Sequence, residues 1–402
     1  MTNTTLCRKI RHLMNTSSTN NNSAIAPKIR NGICFTINPE GLARMVQRQI
    51  TAARKLPPLQ NPPKSVLVLG CSGGYGLSSR IIAACTGGAD TFGVSFERSP
   101  GDANQGTPGW YNNLAFDNAD CGNNSRSITL VGDAFLPEVK TATIKQAQEA
   151  GFAPFDTVIY SLAAPQRKDP HSDTIYRSAI RPIGEPFRGI TINVGTGHVV
   201  DVVINPATEE EIKGTIKVMG GEDWELWLQA LNSANMLAPG VKTVAFSYIG
   251  PSCTWPIYRS GTLGRAKAHL DQSARSLQQL LAPLNGTALV SVNKALVTRA
   301  SSVIPAMPPY ISALYAEMKE RGLHEGCFEQ AVRLFRDRLC TDGPIPVDAE
   351  GRIRLDDWEM LPEVQQAVAR RLEGLTNDNL HHKLDFKGYL ADFLELHGFD
   401  SF

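Results

Sequence analysis

No two of the eight cysteines form a C-x-x-C pair, and no two of the eight histidines are spaced as H-E-x-x-H. The first absence argues against a zinc knuckle or a small disulfide scaffold, so Cys7, Cys34, Cys71, Cys85, Cys121, Cys253, Cys327 and Cys340 are expected to be reduced and mostly buried. The second leaves His381 and His382 as the one adjacent pair, without ligand spacing, and no metal is expected. No run of about eighteen apolar residues occurs, so no membrane span is expected. Charge of one sign is missing too: 40 Lys and Arg against 39 Asp and Glu leave a net +1, with neither a basic field for nucleic acid nor an acidic tail. Internal repeats and low-complexity linkers are lacking between Ala24 and Phe402.

The first 23 residues carry Arg8, Lys9, Arg11 and His12 but no acidic residue, among Ser, Thr and Asn. That composition reads as a disordered extension, with an organelle transit segment as the alternative. The first reading places the protein in the cytoplasm, the second in the mitochondrion. Residues 24–402 read as one large domain.

What is present is an alternation of strands and helices. Apolar runs in "SVLVLG", "TFGVSFE", "SITLVGDAF", "FDTVIYSLAAP", "VKTVAFSYIG" and "GTALVSVNKAL" read as six strands, separated by stretches of helical periodicity. Continuous runs rather than strict alternation suit strands buried on both faces. The expected fold is therefore α/β, a Rossmann-like, doubly wound, mostly parallel sheet, with extra helices in the C-terminal third. One excursion interrupts it over about 185–220, where "GITINVGTGHVVDVVIN" reads as a β-hairpin. Thr208 and Glu211 then form a capping box that opens a helix.

The stretch "VLVLGCSGGYGLSSR" turns a strand into a helix through Gly70, Cys71, Ser72, Gly73, Gly74 and Tyr75. Gly70, Gly74 and Gly76 make G-x-x-x-G-x-G, a looser relative of the dinucleotide turn, in which backbone N–H groups must approach a pyrophosphate. A turn with no ligand has the same composition. Two further strand ends favour the cofactor: Glu97, preceded by Phe96, is placed to accept from ribose hydroxyls, and Asp133 with Ala134 is placed near an adenine. A fourth brings Leu162 and Ala163 to the same crevice. Glu97 would repel a 2′-phosphate and favour NADH over NADPH, whereas the adjacent Arg98 could pair with one.

Candidates for chemistry lie in "SYIGPSCTWPIYRSGTLGRAKAHL", which holds Tyr248, Tyr258 and Lys267. A tyrosine hydroxyl near an ammonium can stabilise an oxyanion beside a transferred hydride. On one regular helix nine residues rotate about 900°, which would put Tyr258 and Lys267 on opposite faces. Pro256, Gly261 and Gly264 therefore place Tyr258 on an irregular segment, with a helix beginning near Gly264 and Lys267 on its first turn.

"GCSGGYGLSSR", "YSLAAPQRKDP", "VMGGEDWELW", "TWPIYRSGTLGRAK", "ALVTRASSVIP" and "GLHEG" together resemble the FabV-type trans-2-enoyl reductases, enlarged relatives of the short-chain dehydrogenases, from about Ala24 to the C-terminus. The resemblance implies a monomeric, NADH-preferring enzyme of fatty acid synthesis acting on enoyl thioesters of coenzyme A or acyl-carrier protein. It implies Tyr258 as proton donor or oxyanion stabiliser, Lys267 as its partner on the cofactor, and Tyr248 as a substrate contact. Gly70 to Tyr75, Phe96, Glu97, Asp133, Ala134, Leu162, Ala163, Leu296, Val297 and Thr298 then line the NADH site. The chain departs from the family at Cys71, Gly73, Arg259, Ser260 and Arg299, the two arginines altering charge near the expected pocket. Rival readings are a carbonyl reductase using the same tyrosine and lysine, and a non-catalytic NADH-sensing protein.

Overall fold

A computed structural model describes residues 25–30, 32–101 and 104–399; the N-terminal extension lies outside them. The central strands are β1 (Ser65–Leu69), β2 (Asp90–Ser95), β3 (Ser127–Val131), β4 (Phe155–Tyr160), β5 (Leu237–Ser247), β6 (Thr287–Val292) and β7 (Ile353–Arg354). They form one seven-stranded sheet in the order β7-β6-β5-β4-β1-β2-β3. Every neighbouring pair is parallel, so the sheet expected to be mostly parallel is wholly so.

That order fixes where a ligand can sit. From β1 the chain builds outward through β2 and β3, then returns to place β4 on the other side of β1, leaving a crevice at the carboxyl ends of β1 and β4. Ser161 N donates to Leu69 O at 2.8 Å and Gly70 N to Val94 O at 2.8 Å, so the three strand ends are locked together beneath it. All five residues of β1 are buried, as its unbroken apolar run requires when helices cover both faces.

The six strands read from the sequence are all found, and β7 is an addition. It lies in the polar segment after Asp342, and its two residues are too few for any periodic signal. It is held by pairing of Ser291 with Ile353 and by Leu355 N donating to Val292 O at 2.8 Å. The excursion is an antiparallel hairpin of Phe187–Asn193 with His198–Ile204, followed by the helix Glu209–Met219 and its Thr208 to Glu211 capping box.

The cysteine expectation needs one correction: Cys85 and Cys121 are disulfide-bonded, 36 residues apart. The loop carrying Cys121 folds against the turn carrying Cys85, where Asn123 Nδ2 donates to Ala84 O at 2.6 Å. Tertiary packing, invisible to spacing, makes that pair. Cys34, Cys71, Cys253, Cys327 and Cys340 are free, and Cys7 lies outside the described residues.

The C-terminal helices Met307–Glu320, Pro362–Leu372 and Phe386–Glu395 enclose an apolar core that also takes in Tyr248, Ile257, Leu263, Leu296 and Val297. The C-terminal third thus packs directly behind the crevice. Among the described residues no helix is long and apolar enough to cross a membrane.

Candidate active site

The glycine turn is built by close approach. Gly70 has φ +86, and a Cβ there would run into the Ser161 carbonyl oxygen, so only glycine lets β1 and β4 end side by side. Gly73, the N-cap of the helix Gly74–Ile81, is different: its backbone is extended and nothing lies within 4 Å of where a Cβ would be. The turn therefore presents open space directly at a helix N-terminus, where an anion is favoured. Cys71 contributes only backbone to this face, since its side chain is buried and its thiol lies 3.6 Å from Asn113 Oδ1. Tyr75 also turns inward, with its hydroxyl donating to Lys294 O at 2.9 Å and its ring 5.2 Å from that of Phe246.

Ser72 Oγ donates to Glu97 Oε1 at 2.6 Å, and Arg299 NH1 meets the same oxygen at 2.9 Å. Glu97 Oε2 is buried without a hydrogen-bond partner. An orphaned carboxylate oxygen beside a Gly-rich turn is the acceptor that a ribose hydroxyl requires. The residues present fit a dinucleotide. Arg299, rather than the exposed Arg98, is the cation placed on Glu97.

The remaining strand ends vary. Asp133 Oδ1 accepts from Phe135 N at 3.0 Å, and Ala134 O is taken by Lys140 Nζ and Trp227 Nε1, so both are partly committed to the protein. Phe96 is 76% exposed, Leu162 half-buried and Ala163 exposed. Leu296 and Val297 are buried, and Thr298 N donates to Ser301 Oγ at 2.8 Å. A Cβ built on Gly74 would stand 3.8 Å from the Thr298 methyl, so the loop after β6 overlies the glycine turn.

The backbone between Tyr258 and Lys267 is broken, as their spacing demands. Tyr258 lies in a run of turns, and the helix begins at Thr262, two residues earlier than expected, which puts Lys267 on its second turn instead of its first. The Tyr258 carbonyl accepts from Gly264 N at 2.8 Å, and a side chain at Gly264 would collide with the Arg259 carbonyl. Tyr258 packs edge-on against Tyr248, ring centroids 4.7 Å apart, while Lys267 Nζ donates to Phe246 O at 2.9 Å. Both groups are thereby anchored on the carboxyl end of β5, which Tyr75 also touches through Phe246. Arg259 lies 4.6 Å from the Trp255 ring.

Burial dominates the electrostatics here. It raises the Tyr258 phenol above its ordinary value, with the Glu359 charge adding to the effect, so the group is a proton donor at neutral pH. Burial lowers the Lys267 ammonium to about 8, against a smaller opposing pull from Asp271. Tyr248, expected at the substrate, has its hydroxyl on Glu359 Oε1 at 3.0 Å.

Sequence reasoning missed three buried groups here. Glu359 is fully buried, and its carboxyl is pushed up to about 7 by burial. Tyr310 donates to Glu359 Oε1 at 2.6 Å. Lys294 is buried with its ammonium on the Ala295 and Glu325 carbonyls, and desolvation lowers it to about 8. Each looks like an ordinary helix or loop residue in sequence, and no motif spacing links them.

Family models match three consecutive segments: the NAD(P)H binding domain of trans-2-enoyl-CoA reductase over 24–102, the trans-2-enoyl-CoA reductase catalytic region over 104–340, and an enoyl reductase FAD binding domain over 347–401. An enoyl-[acyl-carrier-protein] reductase [NADH] of Coxiella burnetii is 49% identical over 376 residues, 93% of each chain. A trans-2-enoyl-CoA reductase [NADH] of Treponema denticola is 47% identical over 382 residues, 94% of this chain and 96% of the relative. The crystal structure of the Treponema denticola trans-2-enoyl-CoA reductase in complex with NAD superposes with a TM-score of 0.89 over 94% of this chain and 95% of that one, at 46% identity.

Proposed function

Since the chain belongs to the trans-2-enoyl-CoA reductase family, we propose that it is an NADH-dependent reductase of the C2=C3 double bond of trans-2-enoyl thioesters. The observation that carries the chemistry is the convergence of Tyr258, Lys267 and the glycine turn on the carboxyl end of β5.

NADH supplies the hydride that adds to C3. The Gly70 to Tyr75 backbone would hold its pyrophosphate, Glu97 Oε2 would accept from the adenosine ribose, Asp133, Ala134, Leu162 and Ala163 would border the adenosine half, and Leu296 to Thr298 would border the nicotinamide half. Tyr258, protonated because it is buried, donates to the thioester carbonyl oxygen as enolate charge grows on it. Lys267, whose ammonium donates to the Phe246 carbonyl, would hold the nicotinamide ribose and bring positive charge to the carboxyl end of β5. A proton from bulk water then bonds to C2 while Tyr258 keeps its own, the enolate collapses to the carbonyl, and a saturated thioester leaves. Tyr248 borders the acyl group through its ring.

The relatives' names cover both acyl carriers, so coenzyme A and acyl-carrier protein thioesters are both proposed substrates. The same reading takes the chain as a cytoplasmic monomer; the bacterial origin of the relatives bears on the compartment alone. The test is NADH consumption with crotonyl-CoA against simple ketones, repeated with NADPH. Oxidation of NADH by crotonyl-CoA alone is expected. Turnover of ketones without crotonyl-CoA would establish the carbonyl reductase reading instead, and tight NADH binding without any consumption the sensor.

A further inference from the structure

Glu359 comes from the segment that follows the edge strand β7. Leu355 N and Asp356 N both donate to Val292 O, which swings the chain across the carboxyl end of β6 and carries Glu359 beneath the crevice. There it is 0% exposed, a position in which a carboxylate carries a heavy desolvation cost unless it is hydrogen-bonded. Three partners from three different elements bond to it. Oε1 accepts from the hydroxyls of Tyr248, at the end of β5, and Tyr310, on the helix Met307–Glu320; Oε2 accepts from Ala295 N at 2.7 Å, at the start of the loop that leads into Leu296 to Thr298. Gln365 braces the arrangement from behind, its side-chain amide donating to Tyr310 Oη at 3.1 Å and to the Glu359 carbonyl at 2.6 Å.

We infer that Glu359 is a positioning residue for the reduction: by holding the Tyr248 hydroxyl it fixes the ring against which the Tyr258 phenol is set. The inference rests on the proposed role of Tyr258. Tyr248 meets Tyr258 edge-on and closely, so a turn of the Tyr248 ring moves its neighbour. An apolar replacement would fill the same volume without the desolvation cost, which leaves the three fixed acceptor directions as what a carboxylate adds here. Glutamine cannot reproduce them. With its oxygen on the tyrosines its amide faces the Ala295 N–H, a second donor; with its oxygen on Ala295 N–H both tyrosine hydroxyls must turn from donors into acceptors of the amide.

The test measures kcat with crotonyl-CoA per NADH-binding site, sites being titrated by NADH fluorescence so that misfolded protein does not count. Glu359→Gln is expected to lower kcat by about tenfold or more while the Kd for NADH moves less than about threefold, and Tyr248→Phe to do the same in smaller measure. In the double variant the two losses should not multiply, because both break one link. Wild-type kcat per site in Glu359→Gln, or losses that multiply in the double variant, would overturn the inference. Should Glu359→Gln fail to fold, Tyr310→Phe keeps the carboxylate and removes one of its restraints; a loss of about two- to fivefold in kcat is expected, and none would overturn the inference. Tyr258→Phe run alongside separates the two readings: full turnover there defeats the role of Tyr258 itself, whereas collapse there with intact Glu359→Gln defeats only the positioning.

Discussion

The crevice has two halves built on different principles. On the side of β1 to β3 the site is mostly backbone, a turn in which glycines allow strands and a helix to approach, with Glu97 and Asp133 as its carboxylates. On the side of β5 to β7 it is mostly titratable side chains, Tyr248, Lys294, Tyr310 and Glu359 buried and Tyr258 and Lys267 half-buried, drawn from segments over a hundred residues apart. The first half can bind but has nothing with which to move a proton. The second can do chemistry only because burial holds its groups away from their ordinary acidities, and that burial comes from the C-terminal helices.

The sharpest way to break this division is Tyr258→Phe. Losing one aimed donor to an oxyanion costs about 2.7 to 4 kcal/mol, so kcat should fall by about two orders of magnitude or more with NADH affinity unchanged. A fall in NADH affinity of similar size would mean that the halves are not separate. Next is pH. Lys267 is lowered to about 8, so its ammonium is present below that pH and lost as pH rises through it. If that charge is needed, kcat/KM should decline by about tenfold per pH unit above about 8. Lys294 is also lowered to about 8, and Lys267→Arg tells the two apart. A guanidinium stays charged past about pH 12, so whatever activity the arginine variant retains should lose the alkaline limb; an unchanged limb assigns it elsewhere.

These two experiments address residues that the sequence half-disclosed. Tyr258 and Lys267 could be named from the chemistry of a phenol near an ammonium and from the family resemblance, and the intervening proline and glycines showed that no unbroken helix joins them, though the helix begins at Thr262 rather than near Gly264. The six longer strands and the glycine turn were legible for a similar reason, each being a local pattern in consecutive residues. Glu359, Tyr310 and Lys294 were not. A buried carboxylate and a solvated one have the same letter, and only the tertiary fold decides which it is. The strand Ile353–Arg354 and the Cys85–Cys121 bond escaped on the same ground, one too short to carry a period and the other made by a loop that meets the helical turn Ile82–Thr86 through packing.

The binding half is sharpened by Glu97→Gln. The amide keeps the volume but turns a donor toward one of the partners that the two carboxylate oxygens accept from, so NADH affinity should drop by about fivefold to tenfold, measured by fluorescence titration, with kcat per bound site little changed. Unchanged affinity would move the ribose off Glu97. The smallest effect is expected of Arg299→Gln. The arginine side chain is 51% exposed and the Glu97 side chain only 4%, so the pair is screened from one side and is worth about 1 kcal/mol. Freed of that cation, Glu97 should repel a 2′-phosphate more strongly, raising the preference for NADH over NADPH by about two- to threefold, with little change in Tm. A preference that falls would make Arg299 irrelevant to the Glu97 charge.

The most direct single measurement is a crystal structure of the protein with NADH and a saturated acyl-CoA. The account requires the pyrophosphate at Gly73, a ribose hydroxyl on Glu97 Oε2, and the thioester oxygen within hydrogen-bond reach of the Tyr258 hydroxyl beside the nicotinamide. A dinucleotide lying along 347–401, or a nicotinamide remote from Tyr258, would contradict it.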